Sequence, residues 1–343
     1  MSVLSSNLIR WHKKSGRKDL PWQIDTTPYK VWISEVMLQQ TQVQTVIPYF
    51  LKFMHKFPSI DSLANSNENE VLSYWSGLGY YSRGRNLFKA AQIIQKDYGS
   101  NMPRRLDELE SLPGIGRSTA GAICSLGFRL KAPILDGNAK RVLVRYFKIE
   151  DSIDLTKTVT ELWKIAENNL PDKDCDIYTQ AIMDVGSLIC KRRNPDCHLC
   201  PLRKKCIAFK DSIQNNLPNK SPKKVKPIKK LYWLILRNRN GELLLENRNS
   251  KGVWEGLWTF IGFKESHSRK EYLEKLPKDF KVLEEGIKTQ HVFTHYKLDI
   301  DTISIKLNKD FKNLDNNKAW FNSDELTNIG LPAPVSKFLE IKK

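Results

Sequence analysis

Long apolar runs are missing from this 343-residue sequence. No stretch approaches the ~20 residues that a membrane-spanning helix needs, so no spanning segment is expected, and an acidic membrane surface has little support as a partner. The opening residues, Met1 to Ser6, lack a charged segment followed by an apolar one. No secretory leader is therefore expected, and the cytoplasm is the expected compartment. No internal repeat is found. Acidic residues are scarce, 38 against 56 basic, for a net charge of +18. Surface lysine is ordinarily just solvated, but at this size the imbalance points to a polyanionic partner, nucleic acid first. Cysteine is also sparse, at six. Disulfides are disfavoured in the cytoplasm, so these thiols need another explanation. What remains is an ordinary globular composition, 40% hydrophobic, in a chain long enough for two domains.

Periodicity divides the chain. Residues 1–210 read as almost wholly helical, with segments at 63–75, 83–97, 118–128, 140–147, 159–168 and 177–190 separated by Gly/Pro punctuation. Residues 211–230 are polar, basic and proline-bearing, and read as an extended linker. From Leu231 the signal becomes β. Strands at 231–237 and 241–246 flank the turn Asn240-Gly241, a helical patch lies near 268–276, and further strands fall at 290–293, 297–306 and 319–321. Residues 231–343 thus form a smaller α+β domain.

One helix organises the first domain. Thr27-Pro28 is a cap followed by a first-turn proline, and Val31, Trp32, Ile33, Val36, Met37 and Leu38 point in nearly all directions around the helix that follows. Glu35 sits among them. A carboxyl in apolar surroundings resists ionisation, which suits a general acid at neutral pH. The competing reading is a core glutamate paired with arginine. The polar run Gln39 to Gln42 then offers side chains to an external partner.

Three further stretches carry chemistry. Gly77-Leu78-Gly79-Tyr80-Tyr81-Ser82-Arg83 is a glycine-flexed turn with adjacent aromatics and arginine, suited to wedging between bases and gripping phosphate; a plain turn with one core tyrosine is the alternative. Leu112-Pro113-Gly114-Ile115-Gly116 joins two helices and turns main-chain N–H groups outward, an anion cradle. Leu135-Asp136-Gly137-Asn138 opens another helix, with Asp136 an N-cap whose charge the helix favours. A protonated Glu35 and an anionic Asp136 are the acid and the cation stabiliser of glycosidic cleavage. Finally, Cys190, Cys197, Cys200 and Cys206 are separated by six, two and five residues. Four thiols so close together indicate a metal site. Zinc is the default for four thiolates, but with only one Cys-x-x-Cys knuckle the irregular spacing suits a [4Fe–4S] cube better. Cys124 and Cys175 read as packing residues.

Taken together, Ser-Glu-Val-Met-Leu-Gln-Gln-Thr at 34–41, Gly-Leu-Gly-Tyr-Tyr at 77–81, Leu-Pro-Gly-Ile-Gly at 112–116, Leu-Asp-Gly-Asn at 135–138 and the cysteine frame resemble the adenine DNA glycosylases of the MutY type. These belong to the helix-hairpin-helix, Gly/Pro-Asp superfamily, and the resemblance covers essentially the whole chain. It implies a multidomain protein: an all-α helix-hairpin-helix glycosylase domain at 1–210 with a [4Fe–4S] module at 190–206, the basic linker 211–230, and a smaller α+β Nudix-like domain at 231–343. The implied function is base excision repair, the hydrolytic removal of adenine mispaired with 8-oxoguanine or G in double-stranded DNA, by a nucleoid-associated monomer.

Residue by residue, Glu35 resembles the acid that protonates adenine and Asp136 the carboxylate that stabilises the oxocarbenium ion, with Asn138 in support. Trp22 and Gln180 resemble residues lining the adenine pocket. Gln40 and Tyr80 resemble wedges beside the lesion, with Thr41 and Leu78 near the 8-oxoguanine and Gly114 and Gly116 on the DNA backbone. Ser118 stands where lyase relatives carry lysine. It cannot form an imine, so a monofunctional enzyme is expected. Phe293-Thr294-His295 resembles a loop usually reading Phe-Ser-His that inspects 8-oxoguanine. Gly262 is not followed by the glutamate cluster of Nudix hydrolases, so lesion recognition is expected there rather than triphosphate hydrolysis. The alternatives are an endonuclease III-like lyase acting on oxidised pyrimidines and a non-catalytic iron–sulfur protein that only binds DNA.

Overall fold

The computed structural model describes residues 1–222, 225–248, 252–277, 279–308 and 315–341. Lys223 and Lys224, within the stretch read as a linker, lie outside the described residues. The chain divides into two compact units. One comprises Met1–Asn65 and Asn86–Lys223, the other Ser66–Arg85 and Lys224–Lys343. Among the described residues no helix is long and apolar enough to cross a membrane.

The first unit is helical. Its Glu35 helix runs Pro28–Leu38, with the Thr27 side chain accepting from the Lys30 N–H and Pro28 in the first turn. Tyr29, Val31, Trp32, Ile33, Ser34, Val36 and Met37 are all buried, the all-round apolar pattern that periodicity gives. The helix stops at Leu38, and Gln40 adopts a left-handed φ of 60°. Two other helices finish in wider π turns. Arg117–Ala122 continues into Ile123–Gly127, and Cys175–Asp184 into Val185–Ile189. Such turns insert a residue into the helical ladder and frequently accompany functional sites. Leu4, Leu8, Leu143, Val144, Leu162 and Ile182 belong to the core that holds these helices. Each such side chain withdrawn from water contributes roughly 1.5–3 kcal/mol.

Residues 63–75, read as one helix, form two: Ile60–Ala64 and Glu68–Trp75. The break has a local cause. The Asn67 side chain accepts from the Glu70 N–H at 2.9 Å, so Asn67 caps a new helix instead of continuing the old one.

The second unit contains a seven-stranded sheet. Its strands are β1 (Ile228–Arg237), β2 (Leu243–Asn247), β3 (Trp258–Thr259), β4 (Ile261–Phe263), β5 (Phe280–Val292), β6 (Lys297–Leu307) and β7 (Lys318–Phe321). They run in the order β3-β2-β1-β6-β5, with β4 also on β1 and β7 on β2. Among the described residues only β1 and β6 pair in parallel. Ile228, Lys229 and Lys230, from the end of the stretch read as a linker, are strand and pair with Lys297, Leu298 and Asp299. The helix Ser266–Glu274 is pinned to the sheet by Arg269, which donates to the carbonyls of Trp233 and Asp301 and to the Asp301 carboxylate. Leu234, Leu236, Leu244, Ile261, Ile303 and Ile305 are among the buried residues of its core.

Candidate active site

A cleft of about 1590 Å³ opens in the first unit. Pockets for small ligands are usually roughly 300–1,000 Å³, so this one has room for a base together with its attached backbone. Its lining brings together Trp22, Glu35, Gln40, Thr41, Ser118, Asp136, Asn138 and Gln180, residues drawn from distant parts of the sequence.

Glu35 is half-buried, lining the cleft from a helix whose other residues are mostly buried. Burial pushes its carboxyl from 4.5 up to about 8, and the negative charge of Asp136 adds to the rise. The arginine pairing that would have made Glu35 a mere core ion pair is not among the described salt bridges. Glu35 therefore holds its proton at neutral pH and has one to give. Asp136 is held by main-chain donors. It caps the helix Gly137–Phe147, and its oxygens accept from the N–H groups of Asn138 at 3.0 Å and Ala139 at 2.8 Å.

The neighbours of Asp136 hold it in place. The Leu135 N–H donates to Ser118 Oγ at 3.1 Å, which ties the approach to Asp136 onto the start of the Arg117–Ala122 helix. Arg141 was not singled out from sequence, although it sits one helical turn beyond Asn138. Its guanidinium donates to Asn138 Oδ1 at 2.9 Å, to the Gly186 carbonyl at 2.5 Å and to the Cys190 carbonyl at 2.7 Å. It thus joins the Asp136 helix to Cys190. Asp184 was missed as well. It is a carboxylate amid Ile182, Met183 and Val185, the same signal that exposed Glu35.

Trp22 is buried and packs edge-on against Phe50 at 5.4 Å. Gln40 is exposed, and Gln39 Nε2 donates to Thr119 Oγ1 at 3.4 Å. Gly114 and Gly116 are exposed outside the cleft, in the loop between Leu106–Ser111 and Arg117–Ala122. Gly114 has a φ of +80°, and a Cβ there would meet Asn86 Cβ at 2.8 Å, so only glycine fits.

The four cysteines are half-buried beside the core of the same unit. Burial, together with the charges of Cys190, Cys206 and Cys197, pushes the Cys200 thiol up to about 12. Arg145, itself 1% exposed, donates to Cys190 Sγ at 3.3 Å and to the carbonyls of Lys191 and Arg192. Among the described residues no three His, Cys, Asp or Glu side chains are grouped so as to hold a metal ion.

The remaining candidates belong to the second unit. Leu78 is buried, whereas Tyr80 is 47% exposed with a φ of 50° and its ring lies 5.5 Å from the Arg83 guanidinium carbon. Phe293, Thr294 and His295 form the turn between β5 and β6. The Phe293 ring packs against Trp254 at 5.5 Å and Tyr296 at 4.7 Å, and Thr294 and His295 are exposed.

Comparison with known proteins places this geometry. Residues 33–168 match the family of HhH-GPD superfamily base excision DNA repair proteins, and residues 232–341 match the NUDIX domain. The helical unit also resembles the solved structure of a thermostable thymine-DNA glycosylase, at a TM-score of 0.55 and 29% identity over 61% of this chain and 96% of that one. The fold is therefore a helix-hairpin-helix glycosylase domain followed by a Nudix-like α+β domain. The adenine DNA glycosylase of Buchnera aphidicola subsp. Acyrthosiphon pisum (strain APS) is 42% identical over 340 residues, 98% of this chain and 97% of that protein. The Homo sapiens adenine DNA glycosylase is 38% identical over 226 residues, 63% of this chain and 41% of its own length. The chain belongs to the adenine DNA glycosylase family, enzymes of base excision repair. An endonuclease III-like lyase is not favoured.

Proposed function

We propose that the enzyme excises adenine mispaired with 8-oxoguanine, or with G, from double-stranded DNA by hydrolysis, with Glu35 as general acid. The observation that carries this reading is the pair of carboxyls on one cleft, one raised to about 8 and the other fed by two main-chain N–H donors. Glu35 donates its proton to a ring nitrogen of adenine, and the base becomes a neutral leaving group. Asp136 balances the positive charge that develops on the sugar, and Asn138, held by Arg141, keeps the start of that helix in place. Water completes the hydrolysis. Trp22 and Gln180 line the pocket for the extruded base, whose extrusion costs a few kcal/mol of stacking and pairing.

In the first unit the N–H groups around Gly114 and Gly116 meet the DNA backbone and Gln40 and Thr41 face the mispair. In the second unit the exposed Tyr80 is the wedge, while Leu78 is buried and supports its turn rather than meeting DNA. The aromatic turn at Phe293, Thr294 and His295 inspects 8-oxoguanine. The net charge of +18 favours this partner. The enzyme works as a monomer in the cytoplasm, its glycosylase and recognition domains joined through the basic stretch 211–230. Ser118, whose hydroxyl takes a structural bond from Leu135, supplies no amine, so no Schiff base forms. Borohydride trapping of a stoichiometric, competent enzyme–DNA adduct would overturn that statement.

Cys190, Cys197, Cys200 and Cys206 hold a [4Fe–4S] cluster in this reading. A single tetrahedral zinc, with Zn–S bonds of about 2.3 Å, draws its four sulfurs into one tight group. These thiols influence one another electrostatically, and their irregular spacing along the chain, with one Cys-x-x-Cys knuckle, suits a cube better than a single zinc. The thiols of Cys197, Cys200 and Cys206, raised by burial and by neighbouring charge, also need a cationic centre before they ionise. When bound, the cluster ties the 190–206 stretch into one cross-linked unit. Its role here is structural.

The decisive experiment is single-turnover excision from an A:8-oxoguanine duplex, run beside T:G and thymine-glycol duplexes. Adenine release by the wild type and a loss of roughly 10²–10⁴-fold in Glu35→Gln, with DNA binding retained, are expected. Undiminished release by Glu35→Gln would refute the acid assignment.

A further inference from the structure

An arginine beside an exposed aromatic on a glycine-flexed turn is suited to gripping phosphate, but Arg83 is placed otherwise. It is 9% exposed, in the first turn of the helix Ser82–Tyr98. Its Nη2 reaches back into its own turn and donates to the carbonyls of Leu78 at 3.3 Å and Gly79 at 3.2 Å. Trp75 Nε1 donates to the same Gly79 carbonyl at 3.2 Å. The guanidinium carbon also lies over two rings, 5.6 Å from that of Trp75 and 5.5 Å from that of Tyr80. Trp75 is 0% exposed, so one ring is fixed in the core, while the other is the exposed one. Burial pulls the guanidinium down to about 10, with Tyr80 opposing the fall, and it stays a cation at neutral pH. A cation attracts a ring face more strongly where water is excluded.

The turn needs such a hold. Gly77, Gly79 and Tyr80 have φ values of 98°, 71° and 50°. The two glycines enter this left-handed region at no steric cost, which makes the turn possible and also leaves it loose. Tyrosine is strained there and keeps the conformation only where its surroundings impose it. The adjacent tyrosines divide the work. Tyr81 is buried and its hydroxyl donates to the Leu331 carbonyl at 2.5 Å, whereas Tyr80 projects. If the turn relaxed, Tyr80 would hold its outward posture only part of the time, and apparent affinity would fall by that fraction.

We infer that Arg83 is a positioning residue that holds the turn 77–81 and the Tyr80 ring in the posture that enters DNA, and that it serves mispair recognition through Tyr80 and not by touching phosphate. The inference rests on the reading of Tyr80 as the wedge.

The test is a double-mutant cycle on mispair preference. That preference is the ratio of affinities for a duplex with a non-hydrolysable 2′-fluoro-deoxyadenosine opposite 8-oxoguanine and for the same duplex with A:T. Arg83→Met keeps an unbranched side chain of similar length and removes the cation and its donors. It should lower the preference at least ~10-fold, leave A:T affinity and its salt dependence unchanged, and have no further effect in Tyr80→Ala. A phosphate contact behaves differently: both affinities fall together and the salt slope shrinks by about 1. That result, or an undiminished effect of Arg83→Met in Tyr80→Ala, overturns the inference. Should Arg83→Met not fold, Arg83→Lys decides. Lysine keeps the charge but lacks the planar fork that spans two carbonyls, so the preference should fall a few-fold with A:T affinity unchanged. An unchanged preference in Arg83→Lys then overturns the inference, since a phosphate contact would survive that exchange. Tyr80→Ala alone tests the underlying reading. An unchanged preference there means that Tyr80 is no wedge, whereas a lowered preference there with an unchanged one in Arg83→Met sinks the positioning claim and leaves the wedge standing.

Discussion

Replacing Glu35 by Gln removes the proton donor and, by the same physics, stabilises the fold. In the unfolded chain the Glu35 carboxyl ionises near 4.5, and in the folded protein near 8. A raised carboxyl binds its proton more tightly in the folded state. The associated stability is fully present below pH 4.5 and is lost as pH rises toward 8, because the unfolded chain gives up a proton that the native state retains. Each pH unit of that interval costs ~1.4 kcal/mol, so by pH 7 the wild type has lost up to about 3 kcal/mol that the uncharged Gln never loses. The part of Glu35 that remains exposed reduces this figure, and about 1–3 kcal/mol is the working range. For a unit of this size the change amounts to a rise in Tm of a few degrees, since ~1 kcal/mol shifts Tm by about 2–4 °C in domains of 150–250 residues. The assay is urea unfolding of both proteins at a series of pH values from 5 to 8, with the cluster state matched. Glu35→Gln should gain on the wild type steadily across that range, with little difference at its acid end. A gap that does not change with pH, or a wild type more stable than the variant at pH 8, would refute the reasoning.

Other outcomes follow from the same geometry. Excision by the wild type should be flat with pH below about 8 and fall about tenfold per unit above it, as single-turnover rates on one duplex will show, because only protonated Glu35 is competent. Asp136→Asn should separate capping from chemistry: asparagine caps helices about as well as aspartate, so thermal unfolding should move by less than about 1 kcal/mol while excision drops by ~10² or more. Gly186→Ala should damage the site indirectly. Its Cβ would lie 2.6 Å from Asn138 Cβ and 3.0 Å from the Asn138 main chain, and the forced shift should cost about 1–3 kcal/mol in denaturant unfolding and slow excision. Cys200→Ser should remove the brown cluster absorbance and lower Tm, whereas a colourless wild type containing one zinc would contradict the cluster assignment.

Much of the catalytic half was legible because its signals are local. Thr27-Pro28 announces a helix start through capping chemistry, and the all-round apolar helix behind it surrounds Glu35 with buried neighbours. Asp136 was readable both as an N-cap and as an acid, and it is an N-cap that lines the cleft. What escaped the sequence is long-range or exposed. Asp184 and the Arg17 that binds it are 167 positions apart, and nothing in either neighbourhood names the other. The segment Ser66–Arg85 groups with the C-terminal unit, where Tyr81 donates to the Leu331 carbonyl, and helical periodicity carries no trace of such a partner. Strand β5 runs from Phe280 to Val292, far longer than the residues 290–293 that periodicity marks. Among the described residues it pairs only with β6, at the edge of the sheet, and is mostly exposed, so its glutamates and lysines show no alternation, and register shifts near Val282 and Glu285 disrupt what pattern there is. The Arg141 bridge was within reach, one helical turn from Asn138, but its other partners at Gly186 and Cys190 come only with the fold.

The excision chemistry depends on Glu35 carrying its proton at neutral pH inside the folded enzyme. That is read most directly by a ¹³C NMR titration of the native protein with carboxyl-labelled glutamate, the Glu35 resonance being assigned by its absence in Glu35→Gln. A midpoint near 8 is expected. A midpoint near 4.5, the ordinary value for a solvated glutamate, would contradict it.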